Sequence, residues 1–164
     1  EPDLEVELPD LSRLSAMLLV KHHIFNFATQ YTQQHPEIQA PTLFKLSSQD
    51  YADFKKFVLA QENFDYTTAS EEALKKMKTT AEKEGYYQDI ATDYEQMLIK
   101  VTPSKERDLD KFEQEIRELL EEEIMTRYYY QEGRAKHSLQ TDPVVLKGIE
   151  ILQAPSQYNT ILKK

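Results

Sequence analysis

The sequence predicts an all-α protein, an irregular bundle of about five to seven helices with a short β-strand segment at its N-terminus. Three observations support this. Apolar side chains recur at helical spacing along most of the chain, capping patterns precede several of these apolar runs, and only three glycines are present. A parallel-sheet enzyme would need many more tight turns. The 164 residues suit one domain.

The N-terminal segment differs from the rest of the chain. Apolar and acidic residues alternate over residues 4–8, which is the period-two pattern of a half-buried strand. Residues 1–9 are therefore predicted as a strand and linker, and residues 10–164 as the helical domain. Because the chain begins at Glu1 without an initiator Met, we expect it to be part of a longer protein.

The first helix is predicted to run from an N-cap at Asp10 to about Tyr31. Val20 and Phe27 widen its apolar arc to about half the circumference, more than a single core-facing stripe needs. Such a helix needs cover on two sides. The prolines at 36 and 41 predict an extended connector between His35 and Leu46.

Local signals place the remaining helices. One helix starts at Ser47, and the next has a capping box of Thr68 with Glu71 and ends at Gly85. A further helix stops near Pro103, and a long helix follows from about Ser104 to Glu132, with Gly133 after it. Asp142 caps a short helix that begins with Pro143, and a last turn starts at Ser156.

Charge and composition exclude several partners. The net charge of -9 argues against nucleic acid, which requires clustered Lys and Arg. No apolar run approaches the roughly 18 residues that span a bilayer, so membrane insertion is not expected. Cysteine is absent, which excludes disulfides and thiolate metal sites.

A search for catalytic chemistry finds no candidate, and we predict no catalytic, cofactor-binding or metal-binding residues. No histidine forms the Glu-x-x-His pair of a helical metal site, and no serine or phosphate-loop motif occurs. His22 and His23 point about 100° apart and are expected to face solvent. Glu121 and Glu122 are likewise expected on a solvated face.

Two charged residues fall within the apolar stripe of the long helix. Glu123 lies one turn before Arg127, which is the favourable order for a helical ion pair. We predict a partly buried ion pair between them, with a structural role favoured over ligand binding.

An interface is predicted from outward-facing apolar residues. Tyr128, Tyr129 and Tyr130 sweep about 200° of one helix and cannot all enter one core. Tyr129 is expected on the outer side together with Met125. This indicates either contact with another domain or a second-layer contact inside the bundle. The widened arc of the first helix adds Val20 and Phe27 to the predicted interface.

The chain resembles the helical extension that follows the protease domain in bacterial carboxy-terminal processing (tail-specific) serine peptidases. The pieces that carry the resemblance occur in order: residues 1–6, 24–28, 64–68 with Glu71, Glu123-Ile124, Arg127-Tyr128-Tyr129-Tyr130-Gln131, Gly133-Arg134, Asp142-Pro143 and 158–162. Together they cover nearly the whole chain. The resemblance gives no functional residue of that family to any position here.

The resemblance implies that residues 1–9 leave an upstream protease domain whose Ser–Lys pair lies outside this chain. It also implies work in the periplasm or cell envelope on polypeptide substrates. We expect a non-catalytic structural or regulatory domain that packs on its own protease core, shapes access for substrate tails or mediates self-association. The alternative is a freestanding helical module that binds a peptide or partner helix in a groove.

Overall fold

A computed structural model describes residues 4–6 and 10–162, and within these ranges the chain forms nine α-helices and no strand. The all-α prediction is confirmed, with more helices than expected. The helices are α1 (Arg13–Val20), α2 (His23–Gln34), α3 (Ser48–Leu59), α4 (Ala69–Glu84), α5 (Tyr87–Val101), α6 (Lys105–Lys111), α7 (Glu113–Ser138), α8 (Pro143–Leu152) and α9 (Pro155–Leu162).

The predicted N-terminal strand is not supported. Residues 4–6 are irregular, and the rest of the predicted segment lies outside the described residues. A strand needs another strand edge to satisfy its backbone groups, and the described part of the chain offers none. The domain boundary at residue 9 stays a prediction.

The predicted first helix is two helices. Lys21 and His22 separate α1 from α2, and His22 takes a left-handed conformation with φ 61°. The N-cap is Ser12, whose side chain accepts a hydrogen bond from the Ser15 backbone N–H, and not Asp10 as predicted. The break resets the helical phase, so the wide apolar arc of the sequence is divided between two helices that face different ways.

The predicted N-caps at Ser47, Thr68 and Asp142 and the helix end at Gly85 are confirmed, although the Glu71 side chain binds Lys75 and does not complete the predicted capping box with Thr68. Ser47 and Asp50 form a reciprocal capping box at the start of α3. Thr68 caps α4, which ends at Gly85 with φ 81°. Asp142 caps α8 through the backbone N–H groups that follow Pro143. These signals are local, because each cap bonds to groups two or three residues away.

The core lies between α1, α2, α3, α6 and α7. Phe54 is fully buried and meets Phe27 edge to face, with ring centroids 5.2 Å apart. Among the described residues, neither the α4–α5 hairpin nor the α8–α9 hairpin contributes a side chain to this cluster. The domain therefore has a packed centre and two peripheral helical hairpins.

The predicted long helix is interrupted twice. Phe112 separates α6 from α7, and Tyr130 within α7 has φ 56° and ψ -157°. The chain folds back at Tyr130. This is shown by the His137 ring, which lies 3.0 Å from the Glu121 carboxylate. In a straight helix, residues so far apart would be separated by about 24 Å along the axis.

Gly133 does not end the helix as predicted. It lies inside the folded-back part of α7, where a Cβ atom added to it would come within 2.0 Å of the Tyr129 Cβ. Glycine is needed at this position for close backbone approach rather than for a terminal turn. A sequence pattern cannot separate these two uses of glycine.

The aromatic centre should dominate the stability of the fold. Phe54→Ala should lower the free energy of unfolding by about 3–5 kcal/mol, because it empties a fully buried site. The matched control Phe25→Ala, at a ring that is 54% exposed, should cost roughly 1 kcal/mol or less. Urea unfolding followed by circular dichroism measures both, and equal losses would contradict the position of this core.

Candidate functional site

Glu123 and Arg127 lie on neighbouring turns of α7 and form an ion pair. Both side chains are largely removed from water, with 32% and 15% of their surface exposed. The Arg127 guanidinium also donates to the Phe25 carbonyl at 2.8 Å and to the Thr29 hydroxyl at 2.9 Å, and it lies 4.5 Å from the centre of the Phe25 ring. The pair therefore ties α7 to α2, which is a structural use of both charges.

The tyrosines of α7 bind the connector, which is defined here as residues 35–46. The Tyr128 hydroxyl donates to the His35 carbonyl, and burial raises the pKa of Tyr128, which keeps this donor protonated. The Tyr129 hydroxyl lies 3.2 Å from the Ile38 carbonyl and 3.3 Å from that of Gln39. Of the two alternatives predicted for Tyr129, these contacts agree with a second-layer contact inside the bundle, because the connector covers this side of the helix.

Of the other three residues of the predicted interface, two are buried and one is exposed. Met125 is fully buried and Phe27 is 5% exposed, so neither can contact another domain in this fold. Both pack in the central cluster, because the break at His22 and the bend at Tyr130 change which faces of the helices are covered. Val20 is 78% exposed and remains available as an interface residue.

Val20 belongs to an exposed apolar corner between α1 and α2. This corner patch is defined here as Leu19, Val20 and Phe25, which are 38%, 78% and 54% exposed. The His22 ring meets Phe25 edge to face at 6.4 Å, and the left-handed backbone of His22 turns the chain at this point. Neighbouring exposed apolar side chains rimmed by polar groups are typical of a protein contact.

Glu121 is buried, which contradicts its predicted place on a solvated face. One carboxylate oxygen accepts from the Leu46 backbone N–H at 2.8 Å. The other lies 3.0 Å from the Nε2 atom of His137 and 3.2 Å from the Nζ atom of Lys45. The connector and the fold-back of α7 bring these groups together, so helical spacing alone could not reveal them.

His137 completes this cluster through both ring nitrogens. Its Nδ1 atom lies 2.9 Å from the Pro41 carbonyl oxygen, and its Nε2 atom faces the Glu121 carboxylate. Both ring nitrogens therefore have an oxygen atom within hydrogen-bond distance, and the buried ring links the connector to α7.

His23 is also buried, not solvent-facing as predicted. It is 2% exposed, its ring meets Phe64 edge to face at 6.0 Å, and its Nε2 atom has no partner among the described residues. Burial, assisted by the charge of Lys21, lowers the pKa of His23 below 6.5. The neutral ring therefore acts as part of the core.

A polar cleft of about 420 Å³ lies between the start of α1 and the chain around α6. Two of its carboxylates, those of Asp108 and Glu115, already have internal partners. Asp108 accepts from the Tyr66 hydroxyl at 2.6 Å, and Glu115 accepts from the backbone and side chain of Ser12. Burial first and Asp108 second raise the pKa of Tyr66. This geometry holds helices together and leaves no free acid or base aimed into the cleft from these pairs.

The described residues contain no group of three or more His, Cys, Asp or Glu side chains placed to hold a metal ion. In the same part of the chain, the helices are too short or too polar to cross a bilayer. The arrangements described above are contacts between helices, together with exposed apolar side chains that include the corner patch.

Comparison with known proteins identifies one family. A family model described as "Probable PDZ-protease, C-terminal helical domain" matches residues 14–152. No curated protein matches the chain, and no solved structure matches it. The match covers α1 to α8, including the connector, the corner patch and the bend at Tyr130.

Adjacent glutamates of α7 should differ sharply in their contribution to stability. Glu121→Gln should cost about 2–4 kcal/mol, because it removes one charge of a buried pair. Glu122→Gln breaks the partly exposed contact with Arg134 and should cost at most about 1 kcal/mol. Chemical unfolding at pH 7 compares the two variants, and similar losses would show that the Glu121 cluster does not form.

The buried His23 predicts a specific dependence of stability on pH. Its pKa is lower in the folded state than the unfolded value of 6.5, so below about pH 6.5 the unfolded chain binds more protons. Stability should therefore fall with acidification in the wild type, and less in His23→Phe. His22→Gln is the control at an exposed neighbour and should keep the wild-type slope. Thermal melts between pH 5 and 8 measure this, and parallel curves for all three proteins would contradict it.

Proposed function

The chain belongs to the family of C-terminal helical domains of probable PDZ-proteases, and on this premise we propose that it is a non-catalytic domain that packs on the protease domain of its own parent protein through the corner patch. The observation that supports this proposal is the exposure of Val20 next to Leu19 and Phe25. The other large aliphatic residues and Phe27 in α1 and α2 are buried: Leu14, Met17, Leu18 and Ile24.

The chemistry of the corner patch suits a protein partner. Leu19, Val20 and Phe25 offer aliphatic and aromatic surface, and interface centres are enriched in such groups and depleted in charge. The Arg127 guanidinium rests on one face of Phe25, which holds the ring in place before any partner arrives. A fixed ring loses less conformational freedom on binding than a mobile one.

Covalent connection makes a small patch sufficient. A domain joined to its partner meets it at an effective concentration in the mM range when the linker spans the two sites. A contact that would be too weak between separate proteins can then be occupied most of the time. The corner patch therefore suits a partner within the same polypeptide.

We further propose that the parent is a carboxy-terminal processing serine peptidase of the bacterial periplasm or cell envelope, with its Ser–Lys pair upstream. The support is the ordered series of matching motifs in the sequence, from residues 1–6 to residues 158–162. In such an enzyme the helical domain would steady the protease core or shape the path of polypeptide tails toward it. The bonds would be broken by residues of the protease domain.

Charge placed in the corner patch tests the proposal. Val20→Asp should leave the helical content of the domain unchanged, because the residue it replaces is 78% exposed. It should weaken association with the separately produced protease domain by about tenfold or more, since a buried charge must lose its water. Titration calorimetry measures the binding, and cleavage of a peptide tail by the complete parent protein measures the consequence.

Leu43→Asp is the matched control. It introduces the same charge at an aliphatic residue that is 70% exposed, lies on the connector and is not part of the corner patch, and it should leave binding and cleavage unchanged. Equal effects of the two substitutions would place the contact elsewhere. No association, together with unchanged cleavage by a parent protein that lacks this domain, would favour the freestanding interaction module.

A further inference from the structure

Two ion pairs bridge the bend in α7. Arg134 contacts the Glu122 carboxylate with its Nη2 atom at 2.8 Å, and His137 contacts Glu121 at 3.0 Å. Both pairs are centred close to Tyr129 in the sequence. They therefore hold the residues after the bend against the residues before it, with the two segments running in opposite directions.

The bend itself is strained. Tyr130 has φ 56° and ψ -157°, a region of backbone space that is occupied almost only by glycine. The Tyr130 ring is 78% exposed, so no packing of this side chain compensates for the backbone conformation. Close to the bend, Gly133 approaches Tyr129 so tightly that one added methyl group would collide with it.

A straight helix would remove this strain. Residues 113–138 contain no proline and are rich in Glu, Gln, Arg, Leu and Tyr, and all but Tyr130 have helical dihedral angles. If Tyr130 also had helical dihedral angles, α7 would continue as one straight helix of about 39 Å. The straight form must then find new partners for the groups that the fold-back had paired.

The part of the chain after the bend is held mainly by polar contacts. This arm is defined here as residues 131–162. It adds no side chain to the central cluster in the described part of the chain, and its contacts with the remainder include His137 with Pro41 and Glu121, and Arg134 with Glu122. Detaching it would leave the core packed. It also exposes apolar side chains along α8 and α9: Val144, Leu146, Ile149, Leu152, Tyr158 and Leu162.

We propose that two copies of this chain exchange their arms and form a two-fold symmetric dimer. In each copy Tyr130 becomes helical, α7 straightens, and the arm docks on the Glu121 and Pro41 surface of the other copy. The contacts are those of the single chain, now made between chains: His137 of one copy with Glu121 of the other, and Arg134 with Glu122. The exchange loses none of these pairs and relieves two strained residues.

Charge fits this partner. Each chain carries a net charge of -9, so two copies repel at most orientations. At the exchanged contact, however, the Arg134 guanidinium and the His137 ring meet carboxylates of the other copy. On α8, Lys147 and Glu150 of the arm pair with each other, so this pair adds no net charge to the contact between the chains. The exchange therefore places attraction where the chains meet.

Two substitutions at the bend test the proposal by opposite outcomes. Tyr130→Gly and Tyr130→Ala both remove the ring, but only glycine accepts the bent backbone without strain. The glycine variant should dissociate at least about 100-fold more readily than the alanine variant, since the difference enters once per chain. Sedimentation velocity over a wide concentration range measures both variants, with circular dichroism as the check on folding.

Cross-linking shows which chain supplies the arm. The chain has no cysteine, so Glu122→Cys and Arg134→Cys can be placed on separate chains, mixed, briefly unfolded, refolded and treated with a short bismaleimide. A covalent dimer should form between these two chains. Lys76→Cys on α4, mixed with the Arg134→Cys chain, is the control and should give no comparable product.

The proposal is overturned if the wild type and Tyr130→Ala sediment as monomers at every concentration. It is also overturned if a chain that carries both Glu122→Cys and Arg134→Cys links only to itself while the separate chains never link. A dimer in the sedimentation experiment that gives no cross-link between positions 122 and 134 contradicts arm exchange and indicates another interface.

Discussion

The backbone carbonyl and N–H groups of the connector between α2 and α3 must find hydrogen-bond partners in the rest of the domain. The connector has no regular structure, so its carbonyl and N–H groups need partners from elsewhere. Helix α7 supplies them: Tyr128 and Tyr129 donate to carbonyls of the connector, Arg117 donates to the Leu46 carbonyl at 2.7 Å, and Glu121 accepts from the Leu46 N–H. This row of contacts fixes where α7 lies, and α7 in turn covers α2.

The same row explains which features of the fold could be predicted from the sequence. The caps at Ser47, Thr68 and Asp142 and the left-handed Gly85 were predictable, because each depends on groups a few residues away. The ordered motifs also predicted the family. The burial of Glu121 was not predictable, since its partner Leu46 lies 75 positions away. The exposure of Val20 and the burial of Phe27 could not be told apart from the sequence, because the break at His22 left no clear signal in the apolar pattern.

Stability is distributed unevenly over this architecture. Five helices enclose the aromatic centre, whereas the α4–α5 and α8–α9 hairpins pack mainly within themselves. Elements with few core contacts open at lower free energy than the core does. A domain built in this way can keep the surface of α1 and α2 rigid while its peripheral hairpins open locally.

The polar character of the contacts across the bend has a physical consequence. Buried ion pairs contribute little net stability, because each charge must lose its hydration, but a wrong pairing leaves a charge unmatched. An apolar contact between the halves of α7 would tolerate a shift of one turn. The pair of His137 with Glu121 does not, because the ring also has to reach the Pro41 carbonyl. These ion pairs therefore fix how the two halves of α7 align more than they stabilise the fold-back. A contact of this kind can be remade identically by a second chain.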